Sequence, residues 1–116
     1  DAGFGLHLLG YWSREMGAMS MAQAVHQLTA QPAEILGLKN RGLLRQGYAA
    51  DLLLFDPQTV GRGPKKRVFD LPLGAPRLHT DALGVHGVWV NGHLTADQNG
   101  MRENTPLAGQ LITEFN

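Results

Sequence analysis

Residues 85–95, VHGVWVNGHLT, limit the possible folds more tightly than any other stretch of the chain. Val85, Val88, Trp89 and Val90 favour extended backbone, and Asn91-Gly92 is the residue pair that tolerates the positive φ angles of a two-residue type I′ turn. The pattern predicts a hairpin in which His93 faces Val90 and His86 falls opposite a residue near Asp97. Val88 and Val90 then share one face of the ribbon while Trp89 takes the other.

Upstream the periodicity is helical. Ser20 suits an N-cap, Gln23 three residues on completes a capping box, and Met21, Ala24, Val25 and Leu28 form an i, i+3, i+4, i+7 stripe. This helix is expected to stop near Ala30, with Pro32 opening a new short helix through Leu36 and Gly37 ending it. Before it, Leu6 and Leu9 near helical spacing predict a short helix from Leu6 to Met16, bounded by Gly17.

Turn residues at Asn40, Gly42 and Gly47 lead into Leu52-Leu53-Leu54-Phe55, a short apolar run closed by Asp56-Pro57. Such a run reads as a strand buried on both faces, where an aspartate at Leu53 is expected to be severely destabilising. Residues 57–76, rich in Gly, Pro and basic side chains, read as a long surface loop with one short strand at Arg67-Val68-Phe69-Asp70. Near the end, Leu107, Leu111 and Phe115 repeat at helical spacing and predict a short C-terminal helix.

Charge narrows the partners. Ten Lys and Arg balance ten Asp and Glu, so no field of one sign attracts nucleic acid or an anionic membrane, and neither is expected as a partner. No apolar run reaches the roughly 18 residues of a membrane span, and no secretory leader is visible. The absence of cysteine fits a cytoplasmic origin. A chain that begins with Asp1 instead of Met is expected to be a trimmed or truncated product.

The five histidines give no metal-ligand spacing. His26 is expected on an exposed helix face, and His79, His86 and His93 at surface or structural positions. His7, near the start of a helix, has the better claim to face a substrate. Ser13 and Ser20 lack a Gly-x-Ser-x-Gly setting, and Ser20 is accounted for as a cap. GRGPKKR does not open a helix with Lys-Ser/Thr and so is no phosphate-binding loop. Trp12 and Trp89 read as core or interface anchors, and Asp51 as the holder of a turn. The residues thus offer no catalytic, cofactor-binding or metal-ligating set.

Three segments occur in a telling order: MSMAQAVHQLTAQPAEILGL, RGLLRQGYAADLLLFD and GVHGVWVNG. That order resembles the C-terminal region of the amidohydrolase superfamily. The opening DAGFGLHLLGYWSREMG and the segment VFDLPLGAPRLHTDALGVHGVWVNG resemble its D-aminoacylase and N-acyl-D-amino-acid deacylase branch.

The resemblance implies an α+β piece comprising the terminal helices of a (β/α)8 barrel, residues 1–41, followed by strands of a small composite β-sandwich. Residues 42–97 would supply those strands, with the long loop 57–76 and the hairpin 85–95, and residues 98–116 a tail with its short helix. It also implies a metal-dependent hydrolase of N-acyl amide bonds, in which one or two Zn²⁺ ions polarise the carbonyl and lower the pKa of bound water toward about 7. Its small-molecule substrate would be an N-acyl-D-amino acid. The zinc ligands and catalytic Asp of the family precede this stretch: Asp1, the one candidate for the metal-side acid, matches a second Asp-Ala-Gly-Phe that follows the catalytic copy. The chain alone is then inactive. It would also self-associate, because strand edges and the stripe Met21, Ala24, Val25 and Leu28 would lack their partners. The alternatives are another cyclic-amide branch of the superfamily, or an independent non-enzymatic β-rich interaction module.

Overall fold

Gly10 decides how the first helix meets the rest of the molecule. A computed structural model describes residues 2–115; Asp1, the candidate metal-side acid, lies outside them. A single α-turn, α1 (Phe4–His7), runs on as π-helix over Leu8–Glu15, where Met16 N–H donates to Tyr11 C=O at 2.8 Å. The helix expected over 6–16 is therefore present but starts earlier and is wider than an α-helix. A β-carbon on Gly10 would collide with the Val60 carbonyl and approach Gly61 Cα to 2.9 Å, so only glycine lets the helix lie this close to the chain beneath it.

That close approach builds the core. Leu9, Ala24 and Val60 are buried together, with Leu6, Leu8, Met19, Met21, Val25, Leu28 and Phe55 packed around them. The helix α2 (Met21–Leu28) carries the expected capping box: Ser20 Oγ accepts from Gln23 N–H at 3.1 Å, and Gln23 Oε1 accepts from Ser20 N–H at 3.2 Å. Its stripe, expected to lie bare, instead faces this core. The break after α2 comes at Thr29, whose hydroxyl donates back to Val25 C=O at 2.7 Å. As a result α3 (Ala30–Ile35) begins two residues before the expected Pro32. Pro32 is tolerated because first-turn amides have no partner within the helix. Gly37, at φ 67°, ends it as expected, with Leu38 N–H bonded to Ala33 C=O at 2.8 Å.

The apolar run and the hairpin form one antiparallel sheet. Its strands are β1 (Leu52–Phe55), β6 (Val85–Val90), β7 (His93–Asp97) and β8 (Gly100–Met101), in the order β1-β6-β7-β8. Asn91 at φ 47° and Gly92 at φ 83° make the turn, Val90 faces His93, and Gly87 faces Asp97. A register shift after Val88 passes over Thr95, whose hydroxyl bonds Val88 C=O at 3.1 Å. The Trp89 indole lies over Gly87 on the same face, where any β-carbon would strike it.

Three expectations are corrected by long-range contacts. Residues 57–76 are not one long loop: β2 (Gly61–Arg62) pairs with β5 (Ala82–Leu83), while the short strand expected at Arg67–Asp70 is present one residue earlier as β3 (Lys66–Val68), paired with β4 (Arg77–His79). β1 is a strand as expected, yet its leucines are not covered: Leu52, Leu53 and Leu54 are 37%, 44% and 56% exposed. β1 is the edge of its sheet, and of its four residues Phe55 packs against the helical core. The C-terminal helix does not form. Residues 102–115 carry no regular structure, and Leu107 and Leu111 are fully or nearly exposed. Short helices are marginal in water without an apolar surface to bury against, and these leucines have none.

The chain is therefore an open α+β assembly. Its accessible surface is 8464 Å², where a compact fold of this mass exposes about 6,200 Å². Its radius of gyration is 15.7 Å against about 13 Å for a compact domain of this length.

Candidate functional site

The densest polar constellation joins three distant stretches. The Arg41 guanidinium donates from Nη1 to Asp51 Oδ2 and from Nη2 to Asn91 Oδ1, the latter at 3.0 Å. Asp51 Oδ1 accepts from the Asn91 backbone N–H at 2.8 Å, and Asn91 Nδ2 reaches across to Ala108 C=O at 2.6 Å. Gly92 N–H closes the ring on Ala50 C=O at 3.0 Å. Asp51 thus holds the hairpin turn, and both of its oxygens are engaged by this clasp. It ties residues 41 to 51 to the turn and the turn to the tail, leaving no free base or nucleophile.

A second cluster sits on the β3–β4 ribbon. Asp81 accepts from Lys66 Nζ at 2.5 Å and lies 3.1 Å from His79 Nε2. Lys66 first, and His79 with it, hold the Asp81 carboxyl below the usual range. Arg77 grips Asp70 in bidentate fashion, Nε to Oδ1 at 2.7 Å and Nη2 to Oδ2 at 2.6 Å, which lowers the Asp70 pKa. Both carboxylates are depressed in the folded state. Their contribution is present above about pH 4, the ordinary carboxylate value, and is lost as pH falls through the lowered values. Acid titration followed by NMR is expected to fray residues 66–79 before the β6–β7 hairpin; simultaneous loss of both would sink that assignment.

The residues weighed individually stay apart. His7 stacks on Tyr11 with ring centroids 4.9 Å apart, and Trp12 meets both rings edge-on. His7 and Tyr11 border a cleft of about 380 Å³ shared with Arg14, Arg62 and Lys65. Arg14 is spent on structure, donating to the carbonyls of Val60 and Pro57. His26, His86 and His93 are exposed, and Ser13 is buried on the inner face of the π-helix. Among the described residues no group of three or more His, Asp or Glu side chains could hold a metal ion. The clasp and the two ion-pair clusters were not foreseen. Each depends on a pairing between residues separated in the chain, by 50 positions for Arg41 and Asn91, 15 for Lys66 and Asp81 and 7 for Asp70 and Arg77, and only the placement of Asp51 before a strand and of Asn91 in a turn hinted at one of them.

Against known proteins the chain matches the amidohydrolase family over residues 2–96. It is 39% identical over 99 residues to an N-acyl-D-aspartate deacylase of Alcaligenes xylosoxydans xylosoxydans, covering 85% of this chain and 18% of that protein. A D-aminoacylase mutant in complex with CuCl2 superposes with a TM-score of 0.76 at 32% identity, covering 97% of this chain and 21% of the other. An N-acyl-D-glutamate deacylase of Bordetella bronchiseptica, complexed with zinc and a phosphonate inhibitor, gives a TM-score of 0.67 at 32% identity, covering 93% and 20%. The chain spans about a fifth of the length of these relatives.

Proposed function

The chain belongs to the amidohydrolase family, in its D-aminoacylase branch, and from that premise we propose that it is a structural part of a metal-dependent N-acyl-D-amino-acid deacylase. In this reading residues 1–41 complete the wall of a (β/α)8 barrel and residues 42–97 contribute strands to a small composite β-sandwich. The observation that carries it is the excess of exposed surface, about 2,200 Å² beyond a compact fold. Large apolar side chains contribute to it: Leu44, Ile35, Leu54 and Phe69 all stand in solvent, as they would on a surface made to be covered.

The metal is the part of the chemistry that these residues do not fit. Zinc in the complete enzyme would polarise the acyl carbonyl and supply a hydroxide-like nucleophile, but no ligand set for it exists among the described residues. In this reading no step of the reaction passes through them. Their contribution is to bury the barrel's flank and to brace the adjoining domain through the Arg41–Asp51–Asn91 clasp. The substrate class is an N-acyl-D-amino acid, and the cell compartment consistent with a cysteine-free chain is the cytoplasm.

Reconstitution tests the reading. The 116-residue chain alone is expected to retain no stoichiometric zinc and to release no amino acid from N-acetyl-D-amino acids. Co-expressed with the complementary four-fifths of a D-aminoacylase, it should restore a zinc-bearing complex that does. Tight binding of about one zinc per isolated chain, measured by metal analysis, would overturn the proposal.

A further inference from the structure

Of the asparagines in the chain, Asn91 and Asn99 are followed by glycine. That pairing permits a reaction of the chain with itself. The glycine backbone nitrogen, with no β-carbon beside it to block the approach, attacks the asparagine Cγ. The new N–Cγ bond closes a succinimide ring as the Cγ–Nδ2 bond breaks, and the amide nitrogen leaves as ammonia with the proton given up by the glycine N–H. Water then opens the imide at one carbonyl or the other, giving aspartate or its β-linked isomer.

The two sites share a sequence but differ in surroundings. At Asn91 every group that the reaction must move is held. Oδ1 accepts from Arg41 Nη2 at 3.0 Å, Nδ2 donates to Ala108 C=O at 2.6 Å, and the attacking nitrogen, that of Gly92, donates to Ala50 C=O at 3.0 Å. At Asn99 the backbone N–H is anchored to Asp97 Oδ1 at 2.8 Å, while no hydrogen bond among the described residues holds the amide of its exposed side chain. Chain neighbours apart, nothing stands within 4 Å of where a β-carbon on Gly100 would lie. Gly100 pairs with Asp97, but β8 is two residues long at the edge of its sheet, and pairing of that kind opens at little cost. We infer that Asn99 is a site of spontaneous deamidation and that the Arg41–Asp51–Asn91 clasp keeps Asn91 from the same reaction.

The change at 99 reaches beyond one side chain. Asp97 holds Asn99 N–H through Oδ1 and Arg102 Nη1 through Oδ2, the latter at 3.1 Å, and an aspartate at 99 brings a second carboxylate to that turn. The β-linked isomer lengthens the backbone by a methylene inside the turn, which then no longer fits the Asp97–Gly100 and Ala96–Met101 register. β8 is released, and with it the bond from Arg102 N–H to Thr95 C=O. The same change at Asn91 would break the turn on which the clasp converges, so the held site is the one with more to lose. The inference rests on the clasp and the two turns and not on the family reading.

Peptide mapping by mass spectrometry tests it on the 116-residue chain, held in mildly alkaline buffer where the glycine amide gives up its proton more readily. Asn99 should acquire the mass of the acid with time, as a pair of aspartyl and β-linked peptides separable by chromatography. Asn91 should convert about tenfold more slowly or less, the factor that about 1.4 kcal/mol of clasp to be broken first places on a rate. In urea, where the clasp is gone, the two sites should convert at similar rates. Asp51→Ala is expected to raise conversion of Asn91 in the folded chain toward the rate at Asn99, and Arg41→Gln serves if that variant does not fold. Asn99→Gln should remove the product at 99 and leave Asn91 intact. Conversion of Asn91 as fast as Asn99 in the folded wild type overturns the inference. So does an Asn99 that converts in urea but stays intact in the folded chain, or an Asn91 that is no more reactive in urea or in a folded clasp variant.

Discussion

Leu9→Ala is expected to remove a third or more of the chain's stability. Leu9 is 2% exposed and meets Ala24 and Val60, both at 0%, so the truncation leaves a cavity where the π-helix, α2 and the approach to β2 converge. Large-to-small changes of this kind cost about 2–5 kcal/mol. Domains hold roughly 0.05–0.15 kcal/mol per residue, and a chain with so few fully buried apolar side chains belongs near the lower end, about 6 kcal/mol. Ala24 already carries only a methyl group and offers no side chain able to move into the gap. Urea unfolding followed by circular dichroism should show the midpoint falling by a third or more. A variant within about 1 kcal/mol of wild type would mean that the helices slide together to refill the site, and that the close approach at Gly10 is not what fixes their position.

The elements that could be read from the sequence are those whose causes are local. The Asn91-Gly92 turn needs two positive φ angles and has the two residues that accept them. Ser20 and Gln23 satisfy each other's backbone donors within one helical turn. Gly37 takes the left-handed angle that ends α3. None of these requires knowledge of the rest of the chain. The π-helix is different: its Gly10 is pressed against the Val60 carbonyl, fifty residues away, a contact that no local pattern announces. The same holds for β2 with β5 and for β3 with β4, which are joined across a stretch whose Gly, Pro and Lys composition suggests a loop.

Burial was the property read least well. Leu52-Leu53-Leu54-Phe55 has the composition of a central strand, yet within this chain it lies at a sheet edge with its leucines exposed. Leu107, Leu111 and Phe115 have helical spacing, but spacing yields a helix only where something receives the apolar face. In both cases the pattern describes a demand for cover that the chain's own residues do not meet. For the site, the residues ruled out individually remain scattered, whereas the Arg41–Asp51–Asn91 clasp was invisible because its strength comes from convergence of ordinary surface residue types.

Asp51→Ala tests whether that clasp is what holds the sheet, the 41–51 segment and the tail as one body. The carboxylate takes two bonds at once, from the Arg41 guanidinium and from the Asn91 N–H, and Arg41 is only 18% exposed. Charged hydrogen bonds of this kind contribute about 1.5–3 kcal/mol; because the Asp51 side chain is 37% exposed, screening reduces the expected loss to about 1–2 kcal/mol. Without Asp51, Asn91 loses the contact that fixes its backbone, and its amide no longer presents Nδ2 to Ala108. Residues 102–115 should then become cleavable under limited proteolysis, while the β6–β7 pairing persists. Asp51→Asn keeps an acceptor for the Asn91 N–H but not the charge facing Arg41, so it should be less damaging in both assays. Equal proteolysis of wild type and Asp51→Ala would show that the tail is held by other contacts. Equal losses for the alanine and asparagine variants would assign the whole effect to the ion pair with Arg41 and none to the turn.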